Sequence, residues 1–385
     1  MQSNYKRLGD YIRQVDVRNR DMSVTTLLGL SIAKQFIPSI ANIIGTDMGS
    51  YKIVKPRQFG YVPVTSRNGE KITIALYEGT APCIISQAYI VFEVVDSEIL
   101  LPEFLMMWFR RPEFDRYARF KSHGSAREVF EWEEMCEVML PVPPIEEQRK
   151  IVAEYQAVER RIENNRRLIA TLEATAQTIY RQMFVDNIDP NNLPKGWREG
   201  TLKEFIELKN GYAFKSEDFC SKGKYKLVTI SNVQHGHFLN KGFTCLEYLP
   251  NNLPPYCILS HGDILFSLTG TTSKDLGRCC IALGENLLLN QRLSLVQSEF
   301  KWFSYCFLRM EDNRSKLAEL SGGTAQQNLS PIKAEDCIFT FPPKDDICDF
   351  EQIVTPIFTL IKSLEQESEI EDSILSLFLS NLSNI

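Results

Sequence analysis

The sequence predicts an α+β fold: two similar domains of mixed α/β structure, joined by two long antiparallel coiled-coil helices in a pseudo-two-fold internal repeat. Three observations predict it. A stretch without glycine or proline, Ile145 to Val185, carries apolar residues at steps of three and four. Short runs of β-branched and aromatic residues, separated by turn formers, lie on both sides of it. The order of these features then recurs after about 200 residues.

The composition is that of a globular protein of two or three domains, with 385 residues of which 44% are hydrophobic. Because the N-terminus has no apolar signal core and no segment is a long apolar run, we expect a cytoplasmic protein without a membrane span. The ten cysteines have no regular spacing, which predicts reduced thiols rather than a disulfide framework. A net charge of −6 leaves the partner open, because clustering of basic residues matters more than their sum.

The first domain is predicted to span residues 1–143. Its strand-like runs are Ser50–Pro56, Lys71–Tyr77 and Ala88–Val95, and Arg67-Asn68-Gly69 between two of them is typical of a turn. Pro102–Arg110 is expected to be a helix, because proline suits a first helical turn and apolar residues follow it. Val138–Pro144 is an extended exit strand that ends in prolines.

The central helix, residues 144–187, would be about 60 Å long at 1.5 Å per residue. Its predicted seam consists of Ile151, Tyr155, Val158, Ile162, Asn165, Ile169, Leu172 and Ile179. Asn165 interrupts the apolar seam, and two interpretations stay open: a buried amide that fixes the register of the helices, or a solvated residue where they splay.

A linker of turn formers, residues 188–196, leads to the second domain at residues 197–344 and to a C-terminal helix at residues 345–385. The runs that predict this domain are Tyr225–Ile230, Asp263–Leu268 and Leu287–Leu295 as strands, Phe300–Leu308 as a helix and Cys337–Pro343 as an exit strand. Pro356 predicts a kink or a late start of the last helix at Thr355-Pro356.

Matching residues support the repeat. Leu8 and Ile12 match Leu202 and Ile206, Ile85-Ser86-Gln87 matches Leu289-Asn290-Gln291, and Pro143-Pro144 matches Pro342-Pro343. Each half is therefore predicted to be one globular domain followed by one long helix, and two such helices can cover each other's seam as an antiparallel pair.

Catalytic motifs are absent from the sequence. Asn252-Leu253-Pro254-Pro255-Tyr256 approaches the motif with which amino-methyltransferases hold an adenine, but Leu253 stands where a polar acceptor is required, so a turn is expected. The residues closest to a metal-ligand set, His235, His237, Cys245, Cys257 and His261, are irregularly spaced and are expected to bind no metal.

Basic and amide residues in the loops are more informative, since lysine and arginine neutralise phosphates while Arg, Asn and Gln bind base edges. The candidate DNA-binding residues of the first domain are Lys34, Lys55, Arg57, Arg67, Lys71, Lys121 and Arg127. Those of the second are Tyr212, Lys215, Thr271, Thr272, Lys274, Arg278, Arg292, Gln326 and Gln327. Ordinary solvated surface residues are the alternative for each of them.

At this level of detail the chain resembles the specificity subunits of type I restriction-modification systems. The stretches that carry the resemblance are Leu140–Val152, at the start of the central helix, and Leu193–Trp197, Asn210–Ser216, Gly262–Phe266 and Asn290-Gln291 in the second domain. They extend the resemblance over essentially the whole chain.

The resemblance implies a non-catalytic DNA reader in phage defence. Each target-recognition domain would read one half of an asymmetric bipartite site, and the helices would set the spacer between readers about one DNA turn, roughly 34 Å, apart. Two methyltransferase subunits and two motor-nuclease subunits would be the partners, with S-adenosylmethionine, ATP and Mg bound by them and no cofactor bound by this chain. A solitary coiled-coil DNA-binding regulator or scaffold is the alternative, and an enzyme with an unrecognised site is a third.

Overall fold

The computed structural model describes residues 5–39, 47–66, 69, 71–124, 127–189, 191–270, 276–322 and 327–384. The chain divides into two compact units. Unit 1 consists of Met1–Arg161 with Glu371–Ile385, and unit 2 of Ile162–Ile370. The division falls inside both long helices, so each unit contains a part of each helix and has a helix pair of its own.

The strands of unit 1 are short. They are β1 (Tyr5–Arg7), β2 (Ile12–Val15), β3 (Leu28–Leu30), β4 (Phe36–Pro38), β5 (Lys52–Val54), β6 (Phe59–Tyr61), β7 (Ile74–Leu76), β8 (Cys83–Ile85), β9 (Ile90–Val94) and β10 (Met139–Pro141). An antiparallel sheet has the order β2-β9-β6-β7, and β1-β10, β3-β4 and β5-β8 form separate pairs.

Three helices cover this sheet: α1 (Pro102–Arg110), α2 (Pro112–Phe120) and α3 (Trp132–Cys136). Aromatic rings fill the space between the sheet and the helices. Phe59 and Phe92 from neighbouring strands stack at 4.7 Å, and Phe109 of α1 packs edge-on against both. All three rings are fully buried, so this cluster is the core on which the loops of unit 1 rest.

Unit 2 begins after α4 (Ile145–Phe184), the central long helix. Its strands are β11 (Arg198–Thr201), β12 (Glu207–Asn210), β13 (Tyr225–Val228), β14 (Val233–Gln234), β15 (His237–Phe238), β16 (Thr244–Leu246), β17 (Ile258–Leu259), β18 (Ile264–Ser267), β19 (Thr269–Gly270), β20 (Cys279–Ile281), β21 (Leu287–Leu289), β22 (Leu293–Gln297), β23 (Gln327–Asn328) and β24 (Ile338–Phe341). One sheet, β12-β22-β18-β20, is antiparallel, and a second, β16-β13-β21-β17, includes the parallel pair β13-β21.

The helices of unit 2 are α5 (Lys301–Arg309), α6 (Glu311–Glu319), α7 (Pro331–Glu335) and α8 (Lys344–Asn381), the C-terminal long helix. They correspond in order and length to those of unit 1, with starts about 200 residues later. The sheets β2-β9-β6-β7 and β12-β22-β18-β20 also have the same strand order. The predicted fold class and its internal repeat are thereby confirmed.

The two long helices pair antiparallel within each unit. In unit 1, Tyr155 of α4 packs against Phe378 of α8 with ring centroids 6.3 Å apart. In unit 2, Asn165 of α4 contacts Ser368, while Tyr180, further along α4, contacts Phe350, earlier in α8. Residues further along α4 thus contact residues earlier in α8. This is the antiparallel arrangement that the sequence predicts.

The seam shifts along α4. Tyr155, Ile162 and Asn165 are buried as predicted, and Ile151, Val158, Ile169, Leu172 and Ile179 are partly buried. From residue 173 onward the most buried positions are instead Glu173, Ala176, Tyr180 and Phe184. Here α4 packs against the globular core of unit 2 as well as against α8, so its buried face is wider than a two-helix seam.

Two predictions of elements are corrected. α8 starts at Lys344, and Pro356 lies inside it, so the late start at Thr355-Pro356 is wrong. The hydroxyl of Thr355 donates to the carbonyl of Glu351 at 2.6 Å, beside the helical bond that proline cannot make. The run Leu287–Leu295 is not one strand but two, because a polar turn separates β21 from β22.

In the part of the chain that the structure describes, no helix combines the length and the apolar character that a membrane crossing requires.

Candidate nucleic-acid interface

A short antiparallel ribbon in unit 1 joins two of the predicted DNA-binding loops. Thr65 donates its backbone N–H to the carbonyl of Glu128 at 2.9 Å, and Val64 and Val129 are bridge partners. His123 and Val129 exchange backbone hydrogen bonds on the other side of the same segment. We call this ribbon 1: residues 64–65 paired with residues 128–129.

Two candidate cations flank ribbon 1. Arg127 directly precedes its second strand, and the side chains of Arg127 and Lys71 are both exposed. Lys71 is two residues from Thr73, whose carbonyl accepts the N–H of Val62 at 2.9 Å, so this segment runs beside the start of the ribbon. The structure therefore brings these two predicted residues to one end of unit 1.

Unit 2 has the equivalent element, ribbon 2, formed by β19 and β23. Thr269 pairs with Asn328 and Gly270 with Gln327, and the hydroxyl of Thr269 also donates to the side-chain carbonyl of Asn328 at 2.9 Å. Gly322 and Asn328 exchange backbone hydrogen bonds, as His123 and Val129 do in unit 1. The two units thus form the same short antiparallel pair from different sequences.

Gln327 is a predicted residue that lies within ribbon 2 itself. Its side-chain oxygen is buried and accepts no hydrogen bond from the part of the chain that the structure describes. Buried amide acceptors are usually hydrogen-bonded in proteins. The structure therefore places the side-chain oxygen of Gln327 inside unit 2, out of contact with solvent.

A polar turn lies next to ribbon 2 and carries Arg292. Asn290, Gln291 and Arg292 connect β21 to β22, and the last two are exposed. The carbonyl of Arg292 accepts the N–H of Leu268 at 3.0 Å, immediately before β19. The turn and the ribbon are therefore adjacent, and Arg292 and Gln327 belong to one surface of unit 2.

Tyr212 reaches the same turn from β12. Its N–H donates to Leu289 and its carbonyl accepts from Gln291, both at 3.0 Å, while its hydroxyl donates to the side chain of Asn252 at 2.7 Å. Gly211 allows this approach, since a Cβ there would lie 2.1 Å from the carbonyl oxygen of Asn290. The two stretches that carried the resemblance in this domain, Asn210–Ser216 and Asn290-Gln291, are thus in direct contact.

Lys34 is placed in the core rather than at the surface. Its ammonium is 2.8 Å from the carboxylate of Asp115 and donates to the carbonyl of Phe109, and the residue is 7% exposed. Burial lowers the pKa of Lys34, which the hydrogen bond to Asp115 opposes. Asp115 also accepts the N–H of Ile72 at 3.1 Å, beside Lys71. Lys34 therefore supports the loop that carries Lys71, and it is not available to phosphates.

Other candidates of unit 1 lie away from ribbon 1 or are paired. Lys55 and Arg57 precede β6, at the opposite end of that strand from the ribbon, and Arg57 pairs with Glu103 at 3.1 Å. Lys121 is 3.2 Å from Glu134. Lys55 and Arg57 are therefore not brought together with Lys71 and Arg127, whereas Lys121, two residues from His123, lies near ribbon 1 with its ammonium paired.

The remaining candidates fall into two groups. Lys215 is exposed and 3.4 Å from Glu217, and Arg278 is partly buried beside β18, where its N–H donates to the hydroxyl of Ser267 at 2.8 Å. The others lie outside the described residues: Arg67, Thr271, Thr272, Lys274 and Gln326.

Sequence reasoning missed a buried anchor between α5 and α4. Glu173 accepts hydrogen bonds from the hydroxyl of Tyr305 at 2.9 and 3.1 Å and pairs with the guanidinium of Arg309. Burial lowers the pKa of Arg309 to about 10, so it stays charged at neutral pH. Arg110, at the equivalent end of α1, pairs with Glu159 of α4 at 2.5 Å. The repeat spacing of the two arginines was the available signal.

The five residues that came closest to a metal set do not form one. Among the residues that the structure describes, no three His, Cys, Asp or Glu side chains converge as metal ligands. His261 instead accepts the N–H of Gly284 at 3.2 Å through Nδ1, and the thiol of Cys257 lies 3.9 Å from the carbonyl of Asn210.

Comparisons with known proteins agree with the repeated architecture. The family model described as the type I restriction modification DNA specificity domain matches residues 41–174 and again residues 194–375. The MjaIX specificity subunit of a type I restriction enzyme from Methanocaldococcus jannaschii is 23% identical over 288 residues, which is 70% of this chain and 65% of that one. The MjaVIII specificity subunit from the same organism is 25% identical over 209 residues, 49% of this chain and 48% of that one.

The chain thus aligns with about half to two thirds of the length of these relatives. Among solved structures, the crystal structure of a type I restriction-modification S subunit from M. genitalium has a TM-score of 0.56 at 14% identity, covering 98% of this chain and 95% of that one. That likeness concerns the fold. With two family matches that together cover most of the chain, one in each half, this protein belongs to the type I restriction-modification DNA specificity family.

Proposed function

We propose that this chain is the DNA-reading subunit of a type I restriction-modification complex, in which each unit recognises one half of a bipartite site. The observation that carries the proposal is the repeated ribbon. In both units an equivalent pair of short strands is flanked in the sequence by stretches with basic and amide residues. Since the loops differ in sequence, the two half-sites would differ, and the target would be asymmetric.

Phosphate and base contacts would be divided among the residues near the ribbons. Lys71 and Arg127 are exposed cations of the kind that neutralise phosphates. Arg292 presents a fork of donors that suits a guanine edge, and Gln327 offers an amide. A local cluster of this kind is compatible with a chain of net charge −6, because DNA responds to the potential of the surface that faces it.

The helices would hold the partner subunits and set the spacer. α8 keeps large apolar side chains exposed on positions that do not face α4. In unit 2 these include Ile353 and Leu360, seven residues apart and 50% and 44% exposed. Apolar residues at heptad spacing suit a second helix. We assign this face to methyltransferase subunits, which would bring S-adenosylmethionine, while motor-nuclease subunits would bring ATP and Mg. This chain itself would perform no chemistry.

Exchange of one unit's reading region tests the modular assignment. Replacing residues 1–143 by those of a relative with another target should change one half of the methylated sequence and leave the other half and the spacer unchanged. The measurement is methylome sequencing of cells that carry the chain with its methyltransferase. A change in both half-sites would refute the assignment of one unit to each half.

A single substitution tests the surface around ribbon 2. Arg292→Ala should relax the preference at one base position, at a cost of about 1–3 kcal/mol in discrimination. Lys195→Ala, in the linker, is the matched loss of an exposed cation and should leave the preference unchanged. Equal effects of the two variants would remove Arg292 from the reading surface.

If the purified chain binds one DNA sequence tightly but no methyltransferase, the solitary regulator is the better description.

A further inference from the structure

Two cysteines of unit 2 face each other across neighbouring extended segments. Cys220 and Cys245 are antiparallel bridge partners, and each donates its backbone N–H to the carbonyl of the other, at 2.9 and 3.0 Å. Cys245 lies in β16, an edge strand of the sheet β16-β13-β21-β17. Cys220 is therefore the residue that covers this edge.

Directly opposed residues of an antiparallel pair have side chains on the same face. Their Cα atoms are about 5.5 Å apart when they exchange both hydrogen bonds, which lies within the range of roughly 4.4–6.8 Å seen in disulfides. The sulfur of Cys220 already lies over its partner, 3.3 Å from the carbonyl oxygen of Cys245. Both residues are partly exposed, so a small oxidant can reach them.

We propose that Cys220 and Cys245 are a redox-active dithiol that forms a reversible cross-strand disulfide. A thiolate of one cysteine attacks a low-molecular-weight disulfide, forms a mixed disulfide and releases one thiol. The second thiolate then attacks the cysteine sulfur of that mixed disulfide, forms the Cys220–Cys245 bond and releases the second thiol. The low-molecular-weight disulfide is reduced, the two cysteines are oxidised, and two protons pass to the two released thiols.

The strand geometry also determines how labile this bond is. Opposed Cβ atoms in a sheet are about 4.5–5.5 Å apart, and hydrogen-bonded pairs are at the wide end, whereas a relaxed disulfide places them near 3.8 Å. Closing the bond therefore strains the backbone around Cys220 and Cys245. Strained disulfides are reduced more easily than the relaxed structural disulfides of secreted proteins. The bond would pin the segment after the short helix Ser216–Asp218 to the sheet edge.

The other thiols are placed differently. Cys279 and Cys280 are adjacent in β20 and fully buried, as is Cys306. Burial raises the pKa of the Cys279 thiol well above its usual value, which makes it a poor nucleophile in the folded protein. Cys348 is exposed on α8 and serves as a reactivity reference, because a thiol of that kind takes up an oxidant without an internal partner.

The test uses the full chain, reduced and then equilibrated in glutathione buffers of increasing oxidised fraction. After acid quenching, alkylation and proteolysis at low pH, mass spectrometry should find peptides carrying Cys220 and Cys245 joined, two hydrogens lighter than the free pair. The joined fraction should follow a two-electron dependence on the buffer potential and reverse on reduction. Cys348 should carry glutathione under the same oxidising conditions.

Single substitutions keep the proposal falsifiable. In Cys220→Ser, Cys245 should accumulate a glutathione adduct because its resolving partner is gone, and Cys245→Ser should do the same to Cys220. Native hydrogen exchange of β13 should be unchanged in both variants, which checks folding. The proposal is overturned if the wild-type chain collects adducts on Cys220 or Cys245 without joining them, or if both stay free while Cys348 reacts.

Discussion

Removing the carboxylate of Glu173 should loosen unit 2 more than any exposed charge removal. In Glu173→Met the guanidinium of Arg309, only 16% exposed, and the hydroxyl of Tyr305, in a fully buried ring, lose their acceptor together. Breaking a buried pair from one side costs about 3–5 kcal/mol, and an unmet hydroxyl about 1–3 kcal/mol. These penalties overlap, so we expect about 3–4 kcal/mol, which corresponds to roughly a 100-fold or greater rise in the opening equilibrium.

Hydrogen exchange followed by mass spectrometry measures this within the intact chain. Peptides from α5 should exchange faster in Glu173→Met, while those from α1 in unit 1 provide an internal reference. Glu163→Gln is the matched control, because Glu163 pairs with Arg167 at 2.9 Å on an exposed face and should cost less than about 0.5 kcal/mol.

The double variant Glu173→Met with Arg309→Met decides the physical reason. Removing both charges eliminates the unpaired guanidinium, so most of the lost stability should return. If α5 exchanges at the wild-type rate in the single variant, or if the double variant is no more stable than the single one, the reasoning is refuted.

Three further predictions concern the turn, the pH response and the seam. Gly211→Ala should cost about 1–3 kcal/mol by urea unfolding, because its Cβ would overlap backbone, whereas Gly29→Ala, which meets nothing within 4 Å, should be close to neutral; equal costs would contradict the tight contact. Burial lowers the pKa of His261, whose Nδ1 accepts a hydrogen bond from the N–H of Gly284. Just below the ordinary histidine pKa of about 6.5, the folded state therefore binds fewer protons than the unfolded state. Stability should therefore fall as pH drops below that value and should fall less in His261→Gln; identical profiles would exclude His261 as the cause. Asn165→Leu should change stability by no more than about 1 kcal/mol yet broaden the methylated spacer lengths, since the buried amide no longer selects one register; an unchanged spacer would deny Asn165 that role.

Local patterns predicted most elements well. The helix Pro102–Arg110 has the bounds that its proline and apolar residues indicate, and α4 starts one residue after and ends three residues before the predicted range 144–187. The helix α2 was missed because Pro112 comes one residue after the preceding helix and charged residues alternate with apolar ones, so only Phe114 and Ala118 are buried apolar residues. The helix α6 of unit 2 has no such proline, but it is mainly polar, and Leu317 and Ala318 are its apolar buried residues.

The candidate site was predictable as a set of loops but not as a surface. A lysine in a loop, such as Lys34, is ordinarily expected at the surface. Its burial depends on Asp115, which is far along the chain, so no local pattern reveals it. Asn165 shows the opposite outcome: it is 7% exposed, so it is not a solvated residue, and its role in fixing the register stays a prediction. Glu173 lies outside the predicted seam, and it is buried because α4 packs against the core of unit 2 as well as against α8.

The contact between Gly211 and Asn290 limits how a reading surface of this kind can diversify. The turn from Asn290 to Arg292 is fixed by backbone hydrogen bonds from three directions, and no atom can be added at position 211 without moving it. Its side chains at Gln291 and Arg292 remain exposed and unconstrained by packing. New sequence preferences would therefore arise here through substitutions of side chains on an unchanged backbone. Insertions or deletions in the turn would instead destabilise the fold of unit 2.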